Sequence, residues 1–195
     1  MLWFKRYLDS REVNVKLRSL LALCLTAVAC IASAAAPASY SGQENREIKS
    51  MSAEDVQSYL AGKGMGLAKA AELNGYPGPS HVLSLAPDLG LTAEQHRLTQ
   101  ALFESMQADA IKFGRLLVEA ERKLDQAFAT KKIDPESLNA SLEQIGALQA
   151  KVRAVHLQVH LAQARILTPQ QNARYMELRG YSANQPAATN EHRHH

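Results

Sequence analysis

The chain has 195 residues, of which 46% are hydrophobic and only 6% aromatic, a composition that suits helices better than a sheet sandwich. Five of the 22 basic residues and two of the 19 acidic ones lie in residues 1–38, which leaves 17 of each beyond it. That neutral body lacks the basic surplus a nucleic-acid binder needs, so no nucleic-acid partner is expected.

Residues 20–36 (LLALCLTAVACIASAAA) form an uncharged apolar run behind Lys16 and Arg18. This is the n-region and h-region of a secretory signal. Ala32-Ser33-Ala34 and Ala36-Pro37-Ala38 each offer the small residues of a cleavage site. Residues 1–38 therefore read as a signal peptide or membrane anchor, with three outcomes open: cleavage, lipidation at Cys30 behind Ala27-Val28-Ala29, or retention as an anchor. All three place the rest of the chain outside the inner membrane, in the periplasm. Cys24 and Cys30 both lie in this leader, so a cleaved body has neither disulfides nor thiolate ligands.

Residues 39–51 are small and polar and read as a flexible tether. Ser52 opens Ser-Ala-Glu-Asp, an N-cap for a short helix near 53–61, which the glycines of Gly62-Lys63-Gly64 break. A phosphate-binding reading of Gly62–Gly66 fails, because no strand precedes it and no Gly-Lys-Ser/Thr follows. Residues 65–73 can form another helical piece. Asn74-Gly75-Tyr76-Pro77-Gly78-Pro79 is a turn, and a short apolar patch at Val82, Leu83 and Leu85 precedes Pro87-Asp88-Leu89-Gly90.

Thr92-Ala93-Glu94-Gln95 is a capping box, and the stripe Leu98, Leu102, Met106, Ala110, Phe113, Leu117, Ala120, Leu124, Phe128 recurs at helical spacing. It predicts one helix of about 37 residues, about 55 Å long. After Lys131-Lys132-Ile133, Asp134 as N-cap and Pro135 at N1 restart the helix. A second stripe follows: Leu138, Leu142, Ile145, Val152, Val155, Val159, Ile166. Two long amphipathic helices on a short joint must fold back on each other. Thr168-Pro169-Gln170-Gln171 caps a short third helix ending near Gly180, and residues 182–195 read as a disordered tail. Its last residues, Glu191-His192-Arg193-His194-His195, read as a solvated end rather than a metal site. The expected fold is all-α: a long antiparallel helical hairpin with short N-terminal helices and a short C-terminal helix, over residues 52–181. A bare hairpin leaves much of each stripe wet, so the short helices, a second subunit in a homodimer, or both should cover it.

Leu91-Thr92-x-x-Gln95 and Leu167-Thr168-x-x-Gln171 repeat one motif, and an antiparallel hairpin brings both to its open end. This pairing resembles the LTxxQ superfamily, which includes the Spy/CpxP periplasmic chaperones and the related CnrX/ZraP metal-responsive proteins. The resemblance covers roughly residues 80–180. It implies an envelope-stress or metal-response role and a cradle-like helical dimer, without deciding between chaperone and sensor.

Two site readings follow. His156 and His160, four residues apart, share one side of the second helix, and folding about Lys132 brings Glu104, Met106 and Asp109 opposite. A divalent ion (Zn, Cu, Ni or Co) held by His156, His160 and Glu104 is sterically reasonable, though no cofactor is required. His81 and His96 lie near the open end, too far along the hairpin to share that site. The other reading is a client-binding surface from Leu98, Leu102, Met106, Phe113 and Leu117. Arg97, Lys112, Arg115, Arg122 and Lys123 interleave there with Glu104, Glu119 and Glu121. Its partners would be unfolded or partly folded envelope proteins, or a membrane signalling protein. No nucleophile elbow, HExxH or carboxylate pair points to catalysis.

Overall fold

The computed structural model describes residues 39–181. The leader and the histidine-bearing tail lie outside the described residues. Contacts divide the chain into Met1–Ser41 and Gly42–His195, and the fold below is that of the second unit. Among the described residues every regular element is a helix: α1 (Ala53–Leu60), α2 (Lys69–Glu72), α3 (Pro79–Ser84), α4 (Ala86–Leu89), α5 (Ala93–Ala129), α6 (Pro135–Ile166) and α7 (Pro169–Leu178). None of them is long and apolar enough to cross a membrane.

The long pair α5–α6 is the body of the unit. Thr92 caps α5, and Asp134 caps α6 with Pro135 in its first turn, both as complete capping boxes. Each box is worth about 1 kcal/mol. At the joint, the N–H groups of Lys131 and Lys132 return to the carbonyls of Phe128 and Ala127 (both 3.0 Å), and Lys131 takes φ +55°. The helices run antiparallel, with Leu117 and Ala120 packed on Ile145, Leu148 and Val152. Nearer the open end the seam turns polar: Gln163 Nε2 donates to Thr99 Oγ1 at 3.1 Å, and both residues are fully buried.

At the open end the two repeated motifs clasp each other. Gln95 Nε2 donates to Gln171 Oε1 at 2.8 Å, and Gln171 Nε2 donates back to Gln95 Oε1 at 3.0 Å. Each amide oxygen also closes its own capping box, accepting from Thr92 N (3.0 Å) and Thr168 N (2.9 Å). The spare N–H groups reach the carbonyls of Ile166 (2.9 Å) and Leu89 (3.3 Å). Around the clasp, Val82, Leu89, Leu167 and Tyr175 make a second small core.

The N-terminal segments cover one side of the hairpin. The reading of 39–51 as a flexible tether does not describe its second half, which is docked on α5. Ile48 and Met51 are buried against Val118, and Lys49 binds Asp125 through its N–H (3.0 Å) and ammonium (3.2 Å). One buried isoleucine and a hydrogen-bonded backbone outweigh the polar composition of the stretch. Helix α1 then crosses α5 at Gly114, where a Cβ would run into the carbonyl oxygen of Tyr59. Glycine is needed there for close approach, although it costs an isolated helix about 1 kcal/mol. Of the expected helix over 65–73, only Lys69–Glu72 is helical, because Met65 (φ +46°) and Gly66 (φ +76°) turn the chain first. Helices α3 and α4, by contrast, have no periodic signal in their sequence. Each carries a proline in its first turn, Pro79 and Pro87.

The clasp distinguishes itself from two independent caps. Glutamate serves as well as glutamine in an ordinary capping box. Here Gln95→Glu keeps the acceptor for Thr92 but sets carboxylate lone pairs against Gln171 Oε1 and the Ile166 carbonyl. Urea unfolding is expected to show a loss of about 1–3 kcal/mol for Gln95→Glu. No loss would mean that the motifs act only as separate caps.

Candidate functional site

The short helices and the hairpin enclose a groove of about 550 Å³ between the Gly62–Gly66 loop and the middle of α5 and α6. Phe103 and Met106 line it from α5, His156 and His160 from α6, and His81 from α3. The hairpin register anticipated Met106 opposite His156. It did not anticipate His81, because the turn at Asn74–Gly78 doubles α3 back over the hairpin. His81 and His156 thus both line one groove, while among the described residues no metal-ligand group joins them. His96 is exposed and does not line it.

The groove floor is organised by Glu72, a carboxylate that is 8% exposed. Its Oε1 accepts from the Tyr175 hydroxyl at 2.6 Å and from Arg179 Nε at 3.3 Å, and His81 Nδ1 stands 3.5 Å away. His160 Nδ1 lies 3.8 Å from Oε2. One side chain of α2 thus ties together α3, α6, α7 and the residue after α7. Burial and the bond to Glu72 push the Tyr175 phenol well above its ordinary range, so the phenol stays a donor. His160 Nδ1 meets the Tyr76 carbonyl at 2.7 Å. A carbonyl can only accept, so Nδ1 is the donor in this contact. The His160 ring packs on Gly78, where a Cβ would sit 2.9 Å from Cε1 and 3.1 Å from Nε2.

His156 is 4% exposed, and its Nε2 has no hydrogen-bond partner. Burial, with a smaller contribution from His160, lowers its pKa from 6.5. Burial and the Arg179 guanidinium lower that of His81, against a partial offset from Glu72.

The three-ligand metal set does not assemble. Glu104 sits on the exposed face of α5, where its carboxylate accepts from Gln100 Nε2 at 2.8 Å, and it does not line the groove. Among the described residues no three His, Cys, Asp or Glu side chains are placed to hold a metal ion. The proposed client surface divides as well. Leu117 is 1% exposed and belongs to the core, and Phe113 packs against it under Lys112 and Lys151. Leu102 is half-buried, Met106 lines the groove, and Leu98 is exposed. Glu72, Tyr175 and Arg179 were not singled out in the sequence, where nothing separates them from ordinary polar residues of short helices.

No family model matches the chain, and no curated protein or solved structure matches it.

The two lowered histidines give stability a pH dependence. Below about pH 6.5 the unfolded chain takes up a proton at His156 that the folded chain refuses. Stability from this group is complete above that value and is lost as pH falls toward the folded pKa. The urea midpoint is therefore expected to drop between about pH 7.5 and about pH 5.5. His156→Leu, which removes a buried polar atom without a partner, should keep the neutral-pH midpoint and flatten that slope. An unchanged slope in the variant would remove His156 as its source.

Proposed function

We propose that the protein is an exported envelope-stress protein with chaperone-like or adaptor activity, binding exposed apolar segments of other proteins. The observation that carries this reading is the apolar surface left on the long helices. Leu116, Phe128, Leu142 and Leu161 are each about half exposed, at 49%, 53%, 50% and 50%. Leu98 adds to them at 36%. Exposed apolar side chains mark a protein-binding surface where they adjoin one another, and the reading takes these residues as parts of such a surface. The paired LTxxQ motifs, whose resemblance to Spy/CpxP-type proteins rests on the motifs themselves, support the same reading. So does the secretory pattern of the leader, which points to the periplasm. Clients would be unfolded or partly folded envelope proteins, or a membrane signalling protein. A homodimer belongs to the proposal, and a monomeric mass at micromolar concentration would count against it.

The second reading is a periplasmic sensor or buffer of a divalent metal. It draws on His81, His156 and His160 lining one groove, and stands second because among the described residues no complete ligand set accompanies them. Metal content after purification without added metal separates the two readings.

The first reading is tested by light scattering from a thermally unfolding client. The protein is expected to suppress scattering in a dose-dependent way. The triple substitution Leu116→Ser, Phe128→Ser, Leu142→Ser should abolish most of that suppression, with helical circular dichroism unchanged. Full suppression by the triple variant, or none by the parent, would overturn the reading.

A further inference from the structure

We propose that the groove beneath the Gly62–Gly66 loop binds segments that combine a large apolar side chain with a negative charge, as in an acidic–apolar peptide. The proposal rests on the client-binding reading above and names the class of segment that this part of the surface selects.

The walls supply the apolar half. Phe103 and Met106 form one side, and Met65, 40% exposed, projects from the loop opposite. Thioether side chains adapt their shape to varied apolar partners. The volume, about 550 Å³, falls within the range of small-ligand sites and accommodates one or two large side chains rather than a folded surface.

The charge of the groove supplies the other half. Lys63, Lys69 and Arg179 line it against one carboxylate, Glu72. That carboxylate is already engaged: its Oε1 is taken by Tyr175 and Arg179, and its Oε2 is buried. Lys63 and Lys69 form no ion pair among the described residues. Lys69 is also positioned, since its chain lies across Gly66, where a Cβ would sit 3.0 Å from Cε and 3.6 Å from Nζ. In a body with equal numbers of acids and bases, this local surplus of cations is a departure from the average. Opposite charge at the rim selects partners and registers them, and like charge repels. A basic–apolar segment meets the same apolar walls with the wrong sign.

The test uses the whole protein and three fluorescent peptides sharing one apolar centre, flanked by Asp, Asn or Lys, in anisotropy titrations. The Asp peptide is expected to bind about tenfold or more tighter than the Asn peptide, and the Lys peptide weakest. Raising salt from about 50 to about 300 mM should narrow that difference. Lys63→Gln with Lys69→Gln, both at exposed positions, should bring the Asp peptide to the level of the Asn peptide. Lys63→Glu with Lys69→Glu should invert the order, and Met106→Ala should weaken every peptide that binds. Equal affinities for the Asp and Asn peptides, or an Asp-peptide affinity unmoved by the lysine substitutions, would overturn the proposal. If no peptide binds while aggregation is still suppressed, the groove proposal fails and the client-binding reading stands. If the acidic peptide binds with the expected order while suppression is absent, the groove proposal survives and the chaperone reading fails.

Discussion

Two helices can touch along only one seam. Everything else in this molecule answers that constraint. The seam between α5 and α6 buries Leu117, Ala120, Ile145, Leu148 and Val152, and the remaining apolar surface needs a further cover. The chain supplies it from its own N-terminal side, with Ile48, Met51 and α1 over Val118, and α3 with α4 over the open end. Among the described residues the apolar interior divides into three small clusters, two of them side by side at Leu117 and Val118 and the third at the open end. Large side chains such as Leu142 and Leu161 are covered by none of these clusters and stay half exposed.

Small clusters need polar fasteners, and two stand out. The Gln95–Gln171 amide pair joins the starts of α5 and α7 with every donor and acceptor matched. The Glu72 carboxylate holds α2, α3 and α7 around a single buried charge. A buried carboxylate is costly unless it is paired and hydrogen-bonded. Arg179 and the Tyr175 hydroxyl provide that compensation, and the price of leaving them unpaired fixes the short helices where weak apolar contacts alone would not. His81 and His160 stand beside the same carboxylate, and the groove they line also holds His156, whose pKa, like that of His81, burial lowers.

Much of the hairpin was legible in the sequence because long helices repeat their signal. The α5 stripe has nine members, and the helix starts are written in the Thr92 capping box and in the Asp134 N-cap with Pro135 at N1, so α5 was bounded to within a residue at each end. The register about Lys132 likewise brought Met106 to His156. What escaped notice depends on the path of short segments. Helices of four to six residues, such as α2, α3 and α4, show no periodicity, and the chain path between them turns at Gly66 and Gly75, both at positive φ. The placement of His81 and the convergence on Glu72 follow from that path. Glu104 illustrates the converse error: it shares the right level of the hairpin with the histidines but occupies the wrong face of its helix. Leu117 shows that a stripe residue marks a core before it marks a surface.

The docking of the short helices on the hairpin is thus the feature on which the groove, its charge and its pH response all depend. It is tested most directly by nuclear Overhauser effects between the Gly78 α-protons and the His160 ring, and between the Gly62 α-protons and the Ala110 methyl. The contacts of 2.9 Å and 3.3 Å from the two glycine Cβ directions place both pairs within range, so both effects are expected. If both are missing while the effects between Leu117 and Leu148 persist, the hairpin stands uncovered and the groove described above does not exist.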